Sequence, residues 1–304
     1  MSASGISTGA RVGATATGTT ADGVAVGRRP VRRRSRRGVV VRTVLAVVAG
    51  LVFLAPLYQM VITAFSPHDD VFGQSLHLWP STPTLGSFRF ILDNEPVWTW
   101  FQNSVVVATL TTILTVVLNV LAGYAFAKLR FPLKTPLFLL LLGTMMIPTQ
   151  AIIVSQFRIV LRLNLFGTFW AVIIPGAAAA FGIFLSRQFV LAIPDELLEA
   201  AKVDGAGRLR TFVSIVLPLC KPLLAVLALL TFMYQWNDFL WPLIALQTNT
   251  LYTLPVGLQF LQGQFTNNYP AIMAMALLSC LPMVVLFLAF QRYFVQGLAR
   301  SGIR

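Results

Sequence analysis

Long uncharged apolar runs dominate this chain after its first 42 residues. Four of them cover Thr43–Phe65, Asn103–Ala127, Thr135–Phe157 and Leu163–Ser186. A helix that crosses a bilayer needs about 20 mainly apolar residues, and it satisfies its backbone hydrogen bonds internally. Only 11% of the residues are charged, whereas a soluble domain carries roughly 25%. The sequence therefore predicts an all-α integral membrane protein.

A further apolar stretch begins at Pro222 and continues to Gln291, and Asp238 is the only charge that interrupts it. This stretch is too long for one helix. Its centre, Gln247–Tyr269, is polar and rich in turn residues, so the stretch divides into two spans near 222–246 and 270–291. The sequence thus predicts six transmembrane helices.

The basic residues predict the orientation of these spans. If both termini are cytoplasmic, the inner segments hold twenty Lys and Arg residues, while the outer segments hold three, namely Arg89, Arg158 and Arg162. Basic residues favour the cytoplasmic side of a membrane. We therefore expect a bacterial cell-membrane protein whose two termini lie in the cytoplasm. The net charge of +13 would also suit nucleic-acid binding. The positive-inside rule explains it better, because the basic residues lie next to spans.

The chain divides into two parts at about residue 38. Residues 1–38 form a tail rich in Gly, Ala, Thr and Ser that ends in an arginine cluster at residues 28–37. Such a tail has little to bury and is predicted to be a disordered cytoplasmic segment. Its arginines are expected to anchor the first helix and to contact anionic membrane lipid. Residues 39–304 form the predicted six-helix transmembrane domain.

Other chemistry has few residues to support it. Cys220 and Cys280 show no disulfide or metal spacing, and both histidines, His68 and His77, fall in the first outer loop. There is no phosphate-binding loop of the Walker type. We therefore expect no enzymatic activity, no metal and no cofactor in this chain; if ATP drives it, another subunit must bind the nucleotide.

A polar segment at about 191–220 lies between two apolar runs and predicts a short helix, a turn and a second short helix. Pro194 is suited to a helix start, and Asp195 adds the negative charge that a helix N-terminus favours. Gly205 suits a left-handed residue at a helix end. A second helical piece then begins over residues 208–212. The segment should form a small exposed knob at the membrane surface; an ordinary interfacial helix is the alternative.

The same segment has a recognisable spacing. Glu-Ala-Ala at 199–201 is followed by three residues, a glycine, nine residues and then Ile-x-Leu-Pro at 215–218. This pattern resembles the cytoplasmic coupling loop of permeases of ATP-binding-cassette (ABC) importers. The resemblance implies that the ATPase-coupling residues are Glu199, Ala200, Ala201, Asp204, Gly205, Ile215, Leu217 and Pro218.

The resemblance extends over nearly the whole chain after the tail. Residues 123–128, 146–148, 236–243 and 291–298 are similar to segments of carbohydrate importer permeases of the maltose-transport type. It implies a type I ABC importer permease fold. The partners that it implies are a second permease, two cytoplasmic ATP-binding subunits and an extracytoplasmic solute-binding protein. The chain departs from the family after Gly297, where a Gly-Ala-x-Lys-Gly end is common.

Asp238 is the only charge in the predicted spans, and intramembrane ionisable residues usually face a cavity or a partner. With Tyr234, Asn237 and Trp241 it is predicted to share one helical face at i, i+3, i+4 and i+7. Such a face suits sugar binding; an interfacial aromatic belt or an interhelical contact is the alternative. Two further polar residues are buried candidates for the substrate pathway, with interhelical hydrogen bonds as the alternative: Asn119 and Gln150.

The cargo follows less directly from the sequence than the fold does. The predicted spans contain no Lys or Arg, which favours a neutral solute such as a sugar. The resemblance leaves glycerol phosphate, amino acids and peptides open as alternative cargoes. An ion-coupled secondary transporter that uses Asp238 as a proton site is a further alternative. Prolines occur in five predicted spans, where kinks can open space between helices: Pro56, Pro148, Pro175, Pro242 and Pro282.

Overall fold

The computed structural model of the chain describes residues 36–68, 79–177, 179–264 and 268–301. The chain divides into two compact units, residues 1–52 and residues 53–304. In the first unit the described residues form the beginning of α1 (Arg36–Ala64), which ends in the second unit and contains Pro56. The predicted disordered tail lies outside the described residues up to residue 35.

The second unit is helical throughout the ranges that the structure describes. After α1 come α2 (Gly86–Asn94), α3 (Val97–Lys128), α4 (Lys134–Thr144), α5 (Thr149–Arg162), α6 (Trp170–Gly176), α7 (Ala180–Leu191), α8 (Asp195–Val203) and α9 (Arg208–Thr211). A π-helical turn (Phe212–Val216), α10 (Leu217–Leu219), α11 (Lys221–Asn237), α12 (Leu240–Ala245), a 3-10 turn (Asn249–Leu251), α13 (Leu254–Gln264) and α14 (Tyr269–Ser301) complete it.

Three helices are long and apolar enough to cross a membrane by themselves: Val40–Ala64, Val97–Lys128 and Tyr269–Phe290. Three bent helix pairs also qualify when each pair counts as one span. They are α4 with α5, bent by 105°; α6 with α7, bent by 41°; and Arg208–Leu219 with α11, bent by 76°. The prediction of six spans is therefore confirmed in part, with three spans present as single helices and three as broken pairs.

Prolines lie at or beside the breaks and explain them. Pro148 is extended and immediately precedes α5, Pro175 lies inside α6, and Pro218 and Pro222 flank the bend before α11. Proline lacks an N–H donor and its ring clashes with the preceding helical turn. The apolar runs Thr135–Phe157 and Leu163–Ser186 are consequently not the single helices that their length predicts.

Helix α3 packs most extensively against α7 and α11. Gly182 of α7 faces the side chain of Asn119, and a Cβ atom at Gly182 would overlap that amide. Small residues at helix contacts allow this close approach inside membranes. Helix α3 is thus a central element of the second unit.

Three buried apolar clusters lie along α3, between it and the neighbouring helices. The first surrounds Trp100 near the Val97 end of α3 and includes residues of α2, α13 and α14. The second surrounds Tyr124 near the Lys128 end and includes residues of α7, α8 and α11. The third joins α5, α6 and α12 around Trp241. The two ends of α3 therefore lie in separate cores.

Candidate functional site: the coupling loop and the polar patch near Asp238

The coupling loop, residues 191–220, has the helix, turn and helix that the sequence predicts. Pro194 is extended and immediately precedes α8, whose first turn contains Asp195 and Glu196. Helix α8 ends at Val203, and Gly205 has a φ of +76°, a left-handed conformation that residues with a Cβ rarely adopt. The second helical piece begins at Arg208. The predicted elbow at Gly205 is confirmed.

One side of the loop is buried in the second unit. Leu198 and Ala201 of α8 are almost fully buried, as are Phe212, Val216 and Cys220 of the second piece. Ring centroids of Tyr124 in α3 and Phe212 lie 5.1 Å apart. Burying apolar surface of this kind stabilises by roughly 25 cal/mol per Å². The loop is therefore fixed to the helices behind it.

Polar contacts at the end of α3 fix the start of the loop. The Lys128 ammonium donates to the Ile193 carbonyl and to Asp195 Oδ1, both at 2.7 Å. Only 9% of the Lys128 side chain is exposed, against 72% for Asp195. The hydrogen bond from Lys128, and next its positive charge, hold the pKa of Asp195 below its usual value. Asp195 therefore carries its charge at neutral pH.

Two more basic residues bind the last carbonyls of α3. Lys134 Nζ donates to the carbonyls of Ala127 and Leu129, and Arg187 Nε donates to the carbonyl of Phe126. Basic side chains at a helix C-terminus satisfy its unpaired carbonyls and interact favourably with its dipole. These contacts hold the Lys128 end of α3 to α4 and α7.

The opposite side of the coupling loop is exposed and partly apolar. Val203 is 87% exposed and Leu209 is 73% exposed, and Leu197 and Val213 also lie at the surface. Exposed apolar patches with a polar rim often mark protein-interaction sites. The rim includes three charged residues of the loop: Glu199, Lys202 and Arg210.

The structure divides the predicted coupling residues into two groups. Glu199, Ala200, Asp204, Gly205 and Pro218 are exposed, where a partner can reach them. Ala201 is buried, and Ile215 and Leu217 are half-buried. These three residues contribute to packing of the loop and offer little surface to a partner.

Sequence reasoning missed the exposed apolar residues and Lys128. The positions of Val203 and Leu209 beside the Gly205 turn were the available signal, because a short turn leaves its flanking side chains without neighbours. Lys128 has the signature of an ordinary basic anchor at a span end. Its distant partners, 65 and 67 residues along the chain, have no local signature.

The predicted substrate face is interrupted at Asp238. Helix α11 ends at Asn237, Asp238 is extended, and α12 begins at Leu240. Because the helix does not continue, the i, i+3, i+4, i+7 relation from Tyr234 to Trp241 fails. The prediction that these four residues share one helical face is wrong.

Trp241 belongs to the interior instead. Its side chain is buried, and its indole N–H donates to the carbonyl of Ala171 at 2.9 Å. The carbonyl is in α6, so this contact joins α12 to α6. Trp241 therefore has the interhelical role that was the alternative to sugar binding.

Tyr234, Asn237 and Asp238 form a polar patch at the end of α11. Tyr234 is 63% exposed and hydrogen-bonds with Thr149 at the start of α5. The Asp238 carboxylate accepts backbone N–H groups of Phe239 and Trp241 and acts electrostatically on Tyr234. The Asn237 amide is exposed and donates to the Met233 carbonyl. The patch therefore combines an aromatic ring, an amide and a carboxylate.

The two remaining pathway candidates differ in burial. Gln150 follows Thr149 and is exposed, so the prediction that it is buried is wrong. Asn119 is 1% exposed, and its amide has no hydrogen-bond partner in the part of the chain that the structure describes. Asn119 lies inside the contact between α3 and α7, away from the surface.

Metal binding has no support in the described ranges. Within residues 36–68, 79–177, 179–264 and 268–301, no three His, Cys, Asp or Glu side chains are grouped so that they could hold a metal ion.

Comparison with protein families and sequences gives consistent matches. Residues 117–300 match the family described as binding-protein-dependent transport system inner membrane component. An arabinooligosaccharide transport system permease protein of Halalkalibacterium halodurans is 37% identical over 84% of this chain and 94% of that protein. An sn-glycerol-3-phosphate transport system permease protein of Salmonella typhi is 34% identical over 88% of this chain and 98% of that protein.

Solved structures share the fold. A chain of a bacterial ABC transporter that imports the acidic polysaccharide alginate superposes with a TM-score of 0.74, at 24% identity, over 86% of this chain and 99% of that one. A chain of an alginate ABC transporter in complex with a pentasaccharide-bound periplasmic protein gives a TM-score of 0.60 at 14% identity, over 83% and 92%.

Proposed function

The chain belongs to the family of binding-protein-dependent transport system inner membrane components, and from that membership we propose that it is the permease subunit of an ATP-driven sugar importer. The coupling loop carries this proposal. Its motif residues are divided between a buried side that fixes the loop and an exposed side that presents Glu199 and the Gly205 elbow. This is the arrangement expected of a docking knob for a separate ATPase.

The proposed assembly has type I importer architecture. In it this chain pairs with a second permease, two cytoplasmic ATP-binding subunits dock on the coupling loops, and an extracytoplasmic solute-binding protein delivers the cargo. In this topology six spans would leave both termini in the cytoplasm, which the basic asymmetry of twenty to three supports. ATP is bound by the partners, and this chain performs no covalent chemistry and needs no cofactor.

We propose alternating access as the mechanism. Closure of the ATPases moves the coupling loops, and the helices then reorient to open the pathway toward the binding protein. Hydrolysis separates the ATPases and restores the inward-open state. The bent helix pairs support this proposal, because broken helices provide points at which segments can change their relative angle.

A neutral sugar is the cargo that the polar patch favours. Tyr234 offers a ring for stacking, Asn237 offers an amide, and Asp238 is an acceptor for hydroxyl groups. A relative named for arabinooligosaccharides supports this class. A relative named for glycerol 3-phosphate favours a second candidate, but a phosphate needs cationic partners. The polar patch contains no Lys or Arg; Arg158 and Arg162 lie in the second half of α5.

Reconstitution tests the function directly. The chain, its partner permease and the ATPases are placed in proteoliposomes with the binding protein, and uptake of labelled arabinooligosaccharides, other sugars and glycerol 3-phosphate is measured. We expect sugar uptake that requires both ATP and the binding protein. Uptake driven by an ion gradient without the ATPases would contradict the proposal, and selective uptake of glycerol 3-phosphate would favour the second candidate.

Thiol labelling tests the orientation. Cysteines introduced at Thr84 and Asn249 should react with an impermeant reagent from outside right-side-out vesicles, whereas one at Gly207 should not. Labelling of Gly207→Cys in sealed vesicles would reverse the proposed topology.

A further inference from the structure

Helix α3 is the part of the second unit that connects its two ends without interruption. It contains 32 residues and no proline. At 1.5 Å per residue its length is about 48 Å, enough to cross a bilayer completely. A continuous helix with its backbone hydrogen bonds intact moves largely as one body, so a displacement at one end reaches the other.

At the Val97 end, α3 holds the segment that follows α12. The Trp100 indole N–H donates to both Asn249 oxygens at about 3 Å, and Asn103 Nδ2 donates to the carbonyls of Thr250 and Tyr252 at 2.9 Å. The Ser104 hydroxyl accepts the Leu254 N–H at 2.7 Å. All three α3 side chains are buried, so this segment is fixed to α3.

At the Lys128 end, α3 holds the coupling loop. Lys128 is bound to the Ile193 carbonyl and to Asp195, on either side of Pro194. Tyr124, one helical turn earlier, packs on Phe212 in the second piece of the loop. Both pieces of the coupling loop are therefore attached to the last turns of a single helix.

Helix α11 is joined covalently to the coupling loop and is a second route toward the opposite end, but it is flanked by two breaks. It begins after a bend of 76° beyond Leu219 and ends at Asn237 before the break at Asp238. Each break is a point at which α11 can change its angle to the neighbouring segments, whereas α3 has no such break.

We propose that α3 is the strut that transmits motion between the coupling loop and the segment Asn249–Leu254, and that Lys128 is the positioning residue that fixes α8 to it. The inference rests on the proposed function, since it assumes that ATPases act on the coupling loop and a binding protein acts at the opposite end. It adds the route between them and the residue that secures it.

Lys128 suits this role because it makes two hydrogen bonds that fix the start of α8. Its ammonium neutralises Asp195 and satisfies the Ile193 carbonyl, and a charged donor with low exposure gives strong, directional hydrogen bonds. Without it, α8 would remain attached through Leu198, Ala201 and the ring of Phe212, but its first turn would be free to shift against α3. ATPase docking would persist while transmission weakened.

The test uses the reconstituted complex and measures assembly, ATP hydrolysis stimulated by the binding protein, and sugar uptake. We expect Lys128→Met to assemble normally but to lose most of the stimulation and to use several-fold more ATP per sugar. Lys128→Arg should restore both, because guanidinium can also donate to two acceptors. Lys221→Met is the matched control, an exposed lysine at the start of α11 that should behave as wild type.

A cross-link provides a second measurement. Lys128→Cys with Asp195→Cys, made with Cys220 and Cys280 replaced by alanine, should be uncoupled until a short bis-thiol reagent joins the two residues and restores uptake. Normal ATP use per sugar in Lys128→Met, or inhibition of uptake by the cross-link, would overturn the proposal. A wild-type complex without binding-protein-dependent uptake would instead contradict the proposed function, so the two failures are distinguishable.

Discussion

The coupling loop and the polar patch near Asp238 contain the two sets of residues that the sequence singles out, and the structure treats them differently. The loop has a buried side, with Leu198 and Phe212 in a common core, and an exposed side around Gly205. The patch lies at the surface beside a helix break, whereas Trp241 is buried and does not belong to it. A recognisable motif therefore contains both anchoring and presenting residues, whereas residues chosen by helical spacing depend on the helix remaining unbroken.

The largest effect is expected from Gly205→Pro. Proline fixes φ near −65°, and Gly205 requires +76°, so the elbow of the exposed side cannot form. We expect insertion in the membrane to continue and ATP-driven uptake to be abolished. Glu199→Ala, which removes an exposed charge without changing the backbone, should reduce uptake in the same direction.

Uptake in vesicles and co-purification of the ATPases check this prediction. Arg130→Ala, at an exposed position outside the loop, is the control and should leave uptake unchanged. Normal transport by Gly205→Pro would show that the elbow is not needed for coupling.

The neighbouring alanines of the motif give the next effect and separate its two sides. Ala201→Leu overpacks a buried position and should destabilise the protein by about 1–3 kcal/mol. Ala200→Leu adds the same atoms at the exposed surface, so it should leave stability unchanged while weakening ATPase association. The measurements are the thermal midpoint of the purified complex and ATPase retention. Equal destabilisation by both variants would contradict the division into buried and exposed sides.

Asp238 tests the polar patch, and two substitutions separate its charge from its hydrogen bonds. Asp238→Asn retains an oxygen that can accept the N–H groups of Phe239 and Trp241, so assembly should persist while the rate or apparent affinity of sugar uptake falls. Asp238→Ala loses these acceptors as well and should also destabilise the protein by about 1 kcal/mol. Uptake is compared with the amount of assembled complex.

Trp241→Phe is the contrasting variant for this region. It removes the indole donor to the Ala171 carbonyl and also shrinks a buried ring, so it should cost about 1–3 kcal/mol of stability and leave the sugar dependence of uptake unchanged. If Asp238→Asn lost assembly and uptake equally, Asp238 would be an interhelical contact like Trp241, and the pathway role of the patch would be excluded.

How far the sequence predicted this structure depends on the range of the interactions involved. The elbow at Gly205 and the start of α8 after Pro194 were predictable, because glycine and proline restrict the backbone locally. The apolar runs matched three spans that are single helices, but the predicted fifth span, 222–246, is broken at Asp238. The length of a run also could not reveal that α4 and α5 meet at 105°. Proline marks where a helix breaks, while the angle depends on packing against other helices.

The candidate site follows the same rule. Motif spacing predicted the helix, turn and helix at 191–220, but the burial of Leu198 depends on residues of α3 and α11 in the same cluster, which are not its neighbours in sequence. The face from Tyr234 to Trp241 assumed a continuous helix, and the extended Asp238 invalidates that assumption. Lys128 could not be found at all, since its partners lie more than sixty residues away.

The smallest effect is expected from Asp195→Asn, which tests how much the ion pair with Lys128 contributes to anchoring the loop. Lys128 keeps its hydrogen bond to the Ile193 carbonyl in this variant, so only its exposed interaction with residue 195 is weakened. Exposed ion pairs contribute little. We therefore expect a small loss of thermal stability and a smaller loss of coupling than in Lys128→Met.

Its pH dependence identifies the cause. Lys128 holds the pKa of Asp195 below its ordinary value of 3.8, so the pair's contribution is complete above that value and is lost as pH falls through the lower folded pKa. The difference in thermal midpoint between wild type and Asp195→Asn should stay constant from pH 8 to about pH 5 and shrink only below about pH 4. Asp204→Asn, at an exposed position beyond α8, is the control for a general charge effect. Convergence of wild type and Asp195→Asn near pH 6 would mean that another titrating group, and not Lys128, secures the start of α8.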